Sequence, residues 1–450
     1  MNIVIVGAGK VGEALCRDLA HEDHDITLIE RNEDRLEQMI RIADITGIVG
    51  NGALYDVQSE AGVANCDIYI AVTPNDETNI IAAITARHLG ARHSIARVRS
   101  PEYSLQMNFL RESLGISLMI NPEYEAAREI ARLLRFPAAL HVNHFEHGRL
   151  NLVEYLLPPD APFVGMKLRD LPRAYTRLLI GALIRDGRPA IPNGDTTLRA
   201  GDHLYLTGDD DLIAAFCQAA ERRSVSIRRV LIVGGGRLTR YILDRLNPRH
   251  YQTKVIELNA ALADALAADY PEVEVICGDG TSQAFLHEER MADYHTVIAA
   301  TGVDEENMIV AISAARMGVP KTITKVNRTD LLKVLDNVGL QAIITPNRIV
   351  ADQIIRYVRS LENSEGSAVV AYARLGDGAL EAVQFHVSDT CKARHRPLSE
   401  LAIRPGILLL AIQRGEQRIT PGGADRIQPG DDVVVITGGL PLRDLDEILA

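Results

Sequence analysis

Met1-Asn2-Ile3-Val4-Ile5-Val6-Gly7-Ala8-Gly9-Lys10-Val11-Gly12 is the stretch on which the reading of this chain turns. Ile3 to Val6 is a run of β-branched residues, the composition of a buried strand, and it begins at once. Glycines in the order Gly-x-Gly-x-x-Gly follow it directly, and Glu13 to Ala20 then carries apolar residues at helical spacing. A second apolar run, Ile26 to Ile29, ends at Glu30, 18 residues beyond Gly12. A strand, a glycine turn, a helix and a strand closed by a carboxylate form the first unit of a dinucleotide-binding fold. The glycines allow a tight turn and close approach of a pyrophosphate, and the helix start offers its N–H groups to it. The carboxylate accepts hydrogen bonds from a ribose diol.

The same text returns. Arg228-Arg229-Val230-Leu231-Ile232-Val233-Gly234-Gly235-Gly236-Arg237 repeats the opening, with Gly234 lying 227 positions after Gly7 and Glu257 lying 227 after Glu30. Gly50-Asn51-Gly52-Ala53 matches Gly278-Asp279-Gly280-Thr281, and Thr73 to Asn79 matches Thr301 to Asn307 at an offset of 228. Ala96-Arg97-Val98 matches Thr324-Lys325-Val326. Short strands (also Ile68 to Val72 and Ser94 to Val98) alternate with helices such as Asn79 to Leu89, which calls for a doubly wound parallel sheet.

After each α/β half the texture shifts to short strands and tight turns. Arg185-Asp186-Gly187-Arg188, Pro192-Asn193-Gly194-Asp195 and Ala200-Gly201-Asp202 are turn signals, echoed at Pro421-Gly422-Gly423 and Pro429-Gly430-Asp431. One small helix is expected near Met166 to Leu171. The fold class expected is α/β, with two tandem Rossmann-like domains, each followed by a small α+β domain. The expected boundaries are 1–134, 135–225, 226–358 and 359–450, with Arg222 to Val225 and Leu361 to Gly366 as linkers.

Within the first loop, Ala8 and Val11 lend backbone, and Lys10 is either a phosphate contact or a solvated lysine. Glu30 favours NAD-like or adenosine ligands over a 2′-phosphate, a preference that Arg31 weakens slightly. Asn51, Gly52 and Ala53 follow the third strand, at the adenine end of such a cleft, and Thr73 ends the fourth. Gly280 and Thr301 hold the matching places in the second half. Asp76, Asn79, Asp304 and Asn307 read equally well as turn residues and helix caps. Arg97 and Lys325 end the fifth strands, where each could hold phosphate, across an interface included, or pair with surface carboxylates. In the second loop Thr239 stands where the third glycine should be. It would push the helix from the sheet or crowd the phosphate, so that site is expected to be weaker, differently selective or dead.

Bulk properties narrow the partners. At 450 residues, with 47% hydrophobic and 24% charged, the chain is a multidomain globular protein. Its apolar runs are too short to cross a bilayer, and its start lacks a signal peptide, so a cytosolic protein is expected. A formal net charge of -12, no Trp and 4% aromatics set nucleic acid aside. Cys16, Cys66, Cys217, Cys277 and Cys391 are scattered without a CxxC pair, which argues against zinc and disulfides. His141, His144 and His147 would face opposite sides of a strand and could not share one metal. Asp209-Asp210-Asp211 is expected to cap a helix. No compact acid–base pair accompanies the loops, and duplication suits a sensor better than an enzyme.

The glycine loop with Glu30, the degenerate loop Gly234 to Thr239 with Glu257, the turns at Asn51 and Asp279, and the paired small modules together resemble the RCK (KTN) family. Within it they resemble the regulatory subunits of bacterial Trk potassium-uptake systems, along the whole chain. That resemblance implies NAD(H) and ATP/ADP binding and a homotetrameric ring of eight Rossmann units. It implies a place on the cytoplasmic face of the inner membrane, docked on a separate membrane-embedded potassium transporter. By position it implies nucleotide contacts from Gly7, Gly9, Lys10, Gly12, Glu30, Asn51 and Thr73, and from Gly234, Gly236, Arg237, Glu257, Asp279 and Thr301. The alternatives are an NAD-dependent oxidoreductase with accessory domains, and a gating ring for another transporter or channel.

Overall fold

The structure, a computed structural model, describes residues 1–22, 24–104, 106–145, 150–221, 227–328, 340–362, 367–376, 378–438 and 442–450. The first α/β module runs β1 (Asn2–Val6), α1 (Lys10–Ala20), β2 (Asp25–Glu30), α2 (Glu33–Ile42), β3 (Thr46–Val49), α3 (Tyr55–Glu60), β4 (Ile68–Ala71), α4 (Asp76–Leu89) and β5 (His93–Arg97). It ends with α5 (Pro101–Ser104), α6 (Met107–Leu114), β6 (Leu118–Ile120) and α7 (Pro122–Arg135). Its strands form one parallel sheet in the order β3-β2-β1-β4-β5-β6. Strands β1 and β4 lie at its centre with helices on both faces, which is why they read as unbroken apolar runs. Strand order reverses between them, so the carboxyl ends of β1 and β4 open a crevice.

A small module follows: β7 (His141–Phe145), β8 (Leu150–Leu156), β9 (Leu179–Arg185), β10 (Arg188–Ala190), β11 (His203–Thr207) and α8 (Asp210–Glu221). Its sheet is antiparallel, β10-β9-β11-β8-β7. Asp186 (φ 51) and Gly187 (φ 72) close a two-residue hairpin turn, as their types require.

The second half repeats the plan. Its α/β module comprises β12 (Arg229–Val233), α9 (Arg237–Leu243), β13 (Gln252–Glu257), α10 (Ala260–Asp269), β14 (Glu274–Cys277) and α11 (Gln283–Glu288). It continues through β15 (Thr296–Ala299), α12 (Asp304–Arg316), β16 (Lys321–Lys325), β17 (Ala342–Ile344) and α13 (Pro346–Glu362). Its sheet order, β14-β13-β12-β15-β16-β17, copies the first. The last module holds β18 (Ala368–Leu375), β19 (Leu380–His386), β20 (Ile407–Arg414), β21 (Gln417–Ile419) and β22 (Asp432–Thr437), ordered β18-β19-β22-β20-β21.

The tandem order hides a pairing that the sequence did not announce. One compact unit joins Met1–Ala131 to Arg228–Ile355, both α/β modules together. The other joins Arg132–Ile227 to Arg356–Ala450. In the latter, one core takes Leu152, Ala182, Ile184 and Tyr205 from the first small sheet and Ala382, Leu410, Val434 and Ile436 from the second. The fit is tight: a Cβ on Gly181 would stand 2.3 Å from Leu410 Cδ2. In the α/β unit, the start of α7 packs on α9 and the start of α13 on α1.

Several local readings change. Leu361 and Glu362 complete α13 instead of linking domains, while residues 363–366 and the expected linker at 222–225 lie outside the described residues. The helix expected near Met166 is a single 3-10 turn, Leu168–Asp170. Asp209 to Asp211 do stand at a helix start, with Asp210 and Asp211 in the first turn of α8, but Asp209 serves it through its carbonyl, which accepts the Leu212 and Ile213 N–H groups, while its carboxylate pairs with Arg177 and Arg418. His141 and His144 lie in β7, and His147 lies outside the described residues. Among the described residues no group of three or more potential ligands could hold a metal, and no helix is long and apolar enough to cross a membrane. Four of the five cysteines are buried and Cys277 is exposed.

Candidate functional site

Each crevice starts where its first strand stops. Gly7 turns with φ +100, a conformation glycine alone adopts readily, and a Cβ there would lie 3.2 Å from the Thr73 backbone. Its N–H donates to Ile29 O, which holds the loop against β2. Gly12 answers a different need: a Cβ there would stand 1.9 Å from the Gly7 carbonyl oxygen, so helix and strand can approach only because none is present. Gly9 meets neither requirement. Its backbone is ordinary (φ -69, ψ -175), and a Cβ on it would meet no protein atom within 4 Å. Gly236 in the second loop repeats this, with φ -72, ψ -170 and empty space around it.

The helices behind these loops are also left open at their starts. Asn32, Asn75, Asn259 and Ser282 accept N–H bonds at the heads of α2, α4, α10 and α11, but no side chain caps α1 or α9. Unpaired N–H groups and the positive end of the helix dipole therefore face the crevice in both copies. Glu30 is fixed beside them. Its Oε2 accepts from Ala8 N at 2.7 Å, and its Oε1 accepts from Arg31 N and Asn32 N. Glu257 makes two of the corresponding bonds, Oε2 accepting from Gly235 N at 2.5 Å and Oε1 from Asn259 N at 2.8 Å.

Thr239 neither displaces the turn nor reaches toward the space beside Gly236. It is fully buried, and its hydroxyl donates to the Gly234 carbonyl at 2.5 Å, the counterpart of the oxygen that Gly12 avoids. The helix accommodates it and is shorter, 7 residues in α9 against 11 in α1.

The other predicted residues divide. Lys10 is exposed, and its Nζ lies 3.9 Å from Glu13 Oε2, a weak helical pair. Arg31 and Arg237 are exposed at the two crevices, while Ala8 and Val11 are buried and offer only backbone. Asn51 and Asp279 hold their own turns, accepting from Ala53 N and from Thr281 N and Oγ1, and those bonds keep the Asp279 carboxyl below its usual range. A Cβ on Gly52 or Gly280 would meet Val6 or Val233 at 2.3 Å, so both glycines serve packing.

Thr73 and Thr301 are anchored by buried asparagines that the sequence suggested only as turn or cap residues. Asn79 Oδ1 accepts from Thr73 N and Oγ1, while its Nδ2 donates to Thr73 O and Arg97 O. Asn307 ties Thr301 to Lys325 O in the same way. Asp76 and Asp304 do not cap their own helices. Asp76 takes the Arg99 and Ser100 N–H groups, and Asp304 takes those of Asn327 and Arg328.

Arg97 and Lys325 have charged neighbours in common, Arg99, Glu123 and Arg237, which neither strand alone would show. Burial depresses Arg97 to about 10, with the Arg99 and Arg237 charges adding to it, and its Nε has no hydrogen-bond partner among the described residues. Burial likewise lowers Lys325, aided by Arg99 and Arg237 and opposed by Glu123, and its Nζ donates to Thr301 O at 2.8 Å. Arg237 of the second loop is thus felt by a cation of each half. Glu123, paired with Arg99 through a 2.7 Å bond from Nε, opposes both. Arg99 and Glu123 were missed, since nothing in either module alone shows that the two fifth strands end near one another.

A sequence model of the TrkA-N domain matches residues 3–122 and 230–346, and one of the TrkA-C domain matches 152–220 and 382–449. The chain belongs to the TrkA family. It is 32% identical over 442 residues to the Trk system potassium uptake protein TrkA of Vibrio alginolyticus, covering 97% of this chain and 95% of that one. It is 30% identical over 456 residues to a TrkA homolog of Archaeoglobus fulgidus, covering 100% of both. Among solved structures, the GsuK channel has the same fold, with TM-score 0.64, 18% identity, and 97% of this chain and 76% of that chain covered. The GsuK channel has also been solved bound to NAD, with TM-score 0.63, 19% identity and the same coverage. The four TrkA domains thus occupy the four modules described above.

Proposed function

We propose that this TrkA-family chain is a nucleotide-binding regulatory subunit that gates a membrane-embedded potassium transporter of the Trk type. NAD(H) and ATP/ADP are its ligands, and each α/β module supplies one cleft. The observation that carries the reading is the twin emptiness at Gly9 and Gly236. Neither glycine is needed by turn conformation or internal packing, and each stands at an uncapped helix start beside a fixed glutamate. A pyrophosphate resting on those N–H groups accounts for both glycines at once. The contacts proposed are Gly7 to Gly12, Glu30 and Arg31 in the first cleft, and Gly234, Gly236, Arg237 and Glu257 in the second. Asn51, Gly52, Ala53, Thr73, Asp279, Gly280 and Thr301 shape the walls. The unpartnered Arg97 Nε is a donor that a phosphate oxygen can use.

The relatives' shared name, Trk system potassium uptake protein, supports a transporter partner. The assembly proposed is a homotetramer on the cytoplasmic face of the membrane. A ligand acts only by preferring one ring shape over another. Calorimetry with NAD, NADH, ADP and ATP on the wild type, Glu30→Ala and Glu257→Ala tests the reading. Each substitution is expected to weaken at least one ligand while leaving the other cleft in place. Unchanged titrations for all four ligands, or steady nicotinamide turnover with a small hydroxy or amino acid, would overturn it.

A further inference from the structure

Residues at corresponding positions of the two halves differ where the α/β modules meet. From the glycine loop to the glutamate closing the second strand the halves align without a gap, so Asp18 on α1 corresponds to Arg245 in the turn just beyond α9. Pro122 and Pro346 open α7 and α13, so Tyr124 corresponds to Arg348. The seam has two edges related by this correspondence. At one, the Arg245 guanidinium lies 4.1 Å above the Tyr124 ring centroid, beside an edge-on Tyr124–Tyr241 contact and a 2.9 Å bond from Asn121 Nδ2 to Tyr241 OH. At the other, Arg348 Nη1 meets Asp18 Oδ2 at 2.9 Å, in a pair whose side chains are 31% and 16% exposed.

We infer that these four residues make the seam selective for unlike halves. The first α/β module accepts the second and refuses a copy of itself. Were two first modules paired in this geometry, Asp18 would face Tyr124 on both edges. A carboxylate over the negative face of an aromatic ring is repelled, and both native contacts would be lost. Were two second modules paired, Arg245 would face Arg348 twice, setting like charges together in a half-buried setting. Only the unlike pairing satisfies both edges, one by cation over ring and one by ion pair. The selectivity lies as much in these penalties as in the native contacts. A chain with two modules of the same fold needs such a device, because the sheets and helices would otherwise permit like pairing between molecules and open-ended association.

The test exchanges the code within the full chain. Asp18→Arg with Arg245→Asp leaves composition and net charge unchanged. It puts two arginines at one native edge and a carboxylate on the Tyr124 ring at the other. Like pairing then becomes favourable on every edge, through an arginine over Tyr124 and an aspartate against Arg348. With p-benzoylphenylalanine in place of Tyr241, photo-cross-links in the otherwise wild-type chain are expected to map to residues 121–124. In the exchanged chain they are expected to move to residues 345–348 of a second molecule, the ratio of the two peptides changing by about tenfold or more. Asp18→Arg with Arg348→Asp rebuilds an opposite pair across the unlike seam and is expected to keep the wild-type map. Should the exchanged chain not fold, Arg348→Asp alone carries the test, since it sets two carboxylates together in the unlike seam and favours pairing of second modules. Either folded variant retaining links only to 121–124 would overturn the inference.

Discussion

Three glycines of one loop have three different explanations, a turn conformation, an empty approach and a close helix contact, and substitution separates them. Gly9→Ala adds a methyl where the protein itself has nothing, so thermal unfolding should be nearly unchanged. The same methyl occupies the approach of a phosphate, and overpacking of that kind costs about 2 kcal/mol, roughly thirtyfold in Kd. Gly12→Ala should do the reverse first: its Cβ would lie 1.9 Å from Gly7 O, so the chain must lose stability before any ligand is added. Calorimetry beside a melting curve distinguishes the two, and a Gly9→Ala protein that binds NADH and ATP as well as the wild type would remove the proposed phosphate position. Thr239 shows what a sequence pattern alone misreads. A motif comparison sees a missing glycine, whereas the structure gives the side chain a hydrogen bond to Gly234 O and leaves the space at Gly236 open.

Strands and helices around the crevice are held by side chains buried behind it. Asn79 is fully buried and joins the end of β4 to that of β5 through four hydrogen bonds. Asn79→Asp keeps the shape but turns an N–H donor into an acceptor facing two carbonyls. Leaving such groups unsatisfied should cost about 3 kcal/mol, read as a lower urea midpoint with an unchanged slope. A midpoint within error of the wild type would mean that the clamp is redundant. In the small module, burial alone would raise the Glu154 carboxyl. The bond from His203 and the charges of His141 and His203 outweigh burial and hold it below its usual range. His203 is raised in turn, chiefly by that 2.8 Å bond. A raised histidine stabilises the fold below its unfolded value and loses that contribution as pH climbs through its folded value. A lowered carboxylate loses its contribution as pH falls through its folded value. Between about pH 6 and pH 9 the wild type should therefore lose more stability than His203→Gln, as measured by urea titration. Equal losses would show that the pair contributes nothing. Periodicity and turn types revealed the elements around these groups, because strand runs, hairpin glycines and helix caps are local. The partners of Asn79, Asp76 and Glu154 come from separate strands and loops, and no spacing in the sequence points to them.

At the scale of the molecule, repetition revealed four modules, but it could not say which modules associate. Both possible arrangements, each α/β module with its own small neighbour or like module with like, have the same order along the chain. The choice is written in packing, through Gly181 against Leu410 in one unit and Asp18, Tyr124, Arg245 and Arg348 in the other. Pairing of the α/β modules has a consequence for two ligands. Arg97 of the first half and Lys325 of the second both respond to Arg237 and to Glu123, so the charge near either crevice is shared. A polyanion bound in one cleft is therefore expected to alter the free energy of a polyanion in the other, and any such effect is reciprocal by linkage. Saturating ATP should therefore change the Kd for NADH by the same factor as saturating NADH changes that for ATP, a factor of about five or more. Glu123→Gln removes the carboxylate that opposes both cations, so it should alter that factor and raise the affinity of both clefts, most strongly at low salt. Asp195→Asn, whose carboxylate pairs with Lys167 and Arg169 on the surface of a small module, is the control expected to leave it unchanged. Calorimetric titration in each order measures the factor directly. A value of one in the wild type, unmoved by Glu123→Gln, would mean that the clefts are independent and that the charges between them serve only to hold the modules together.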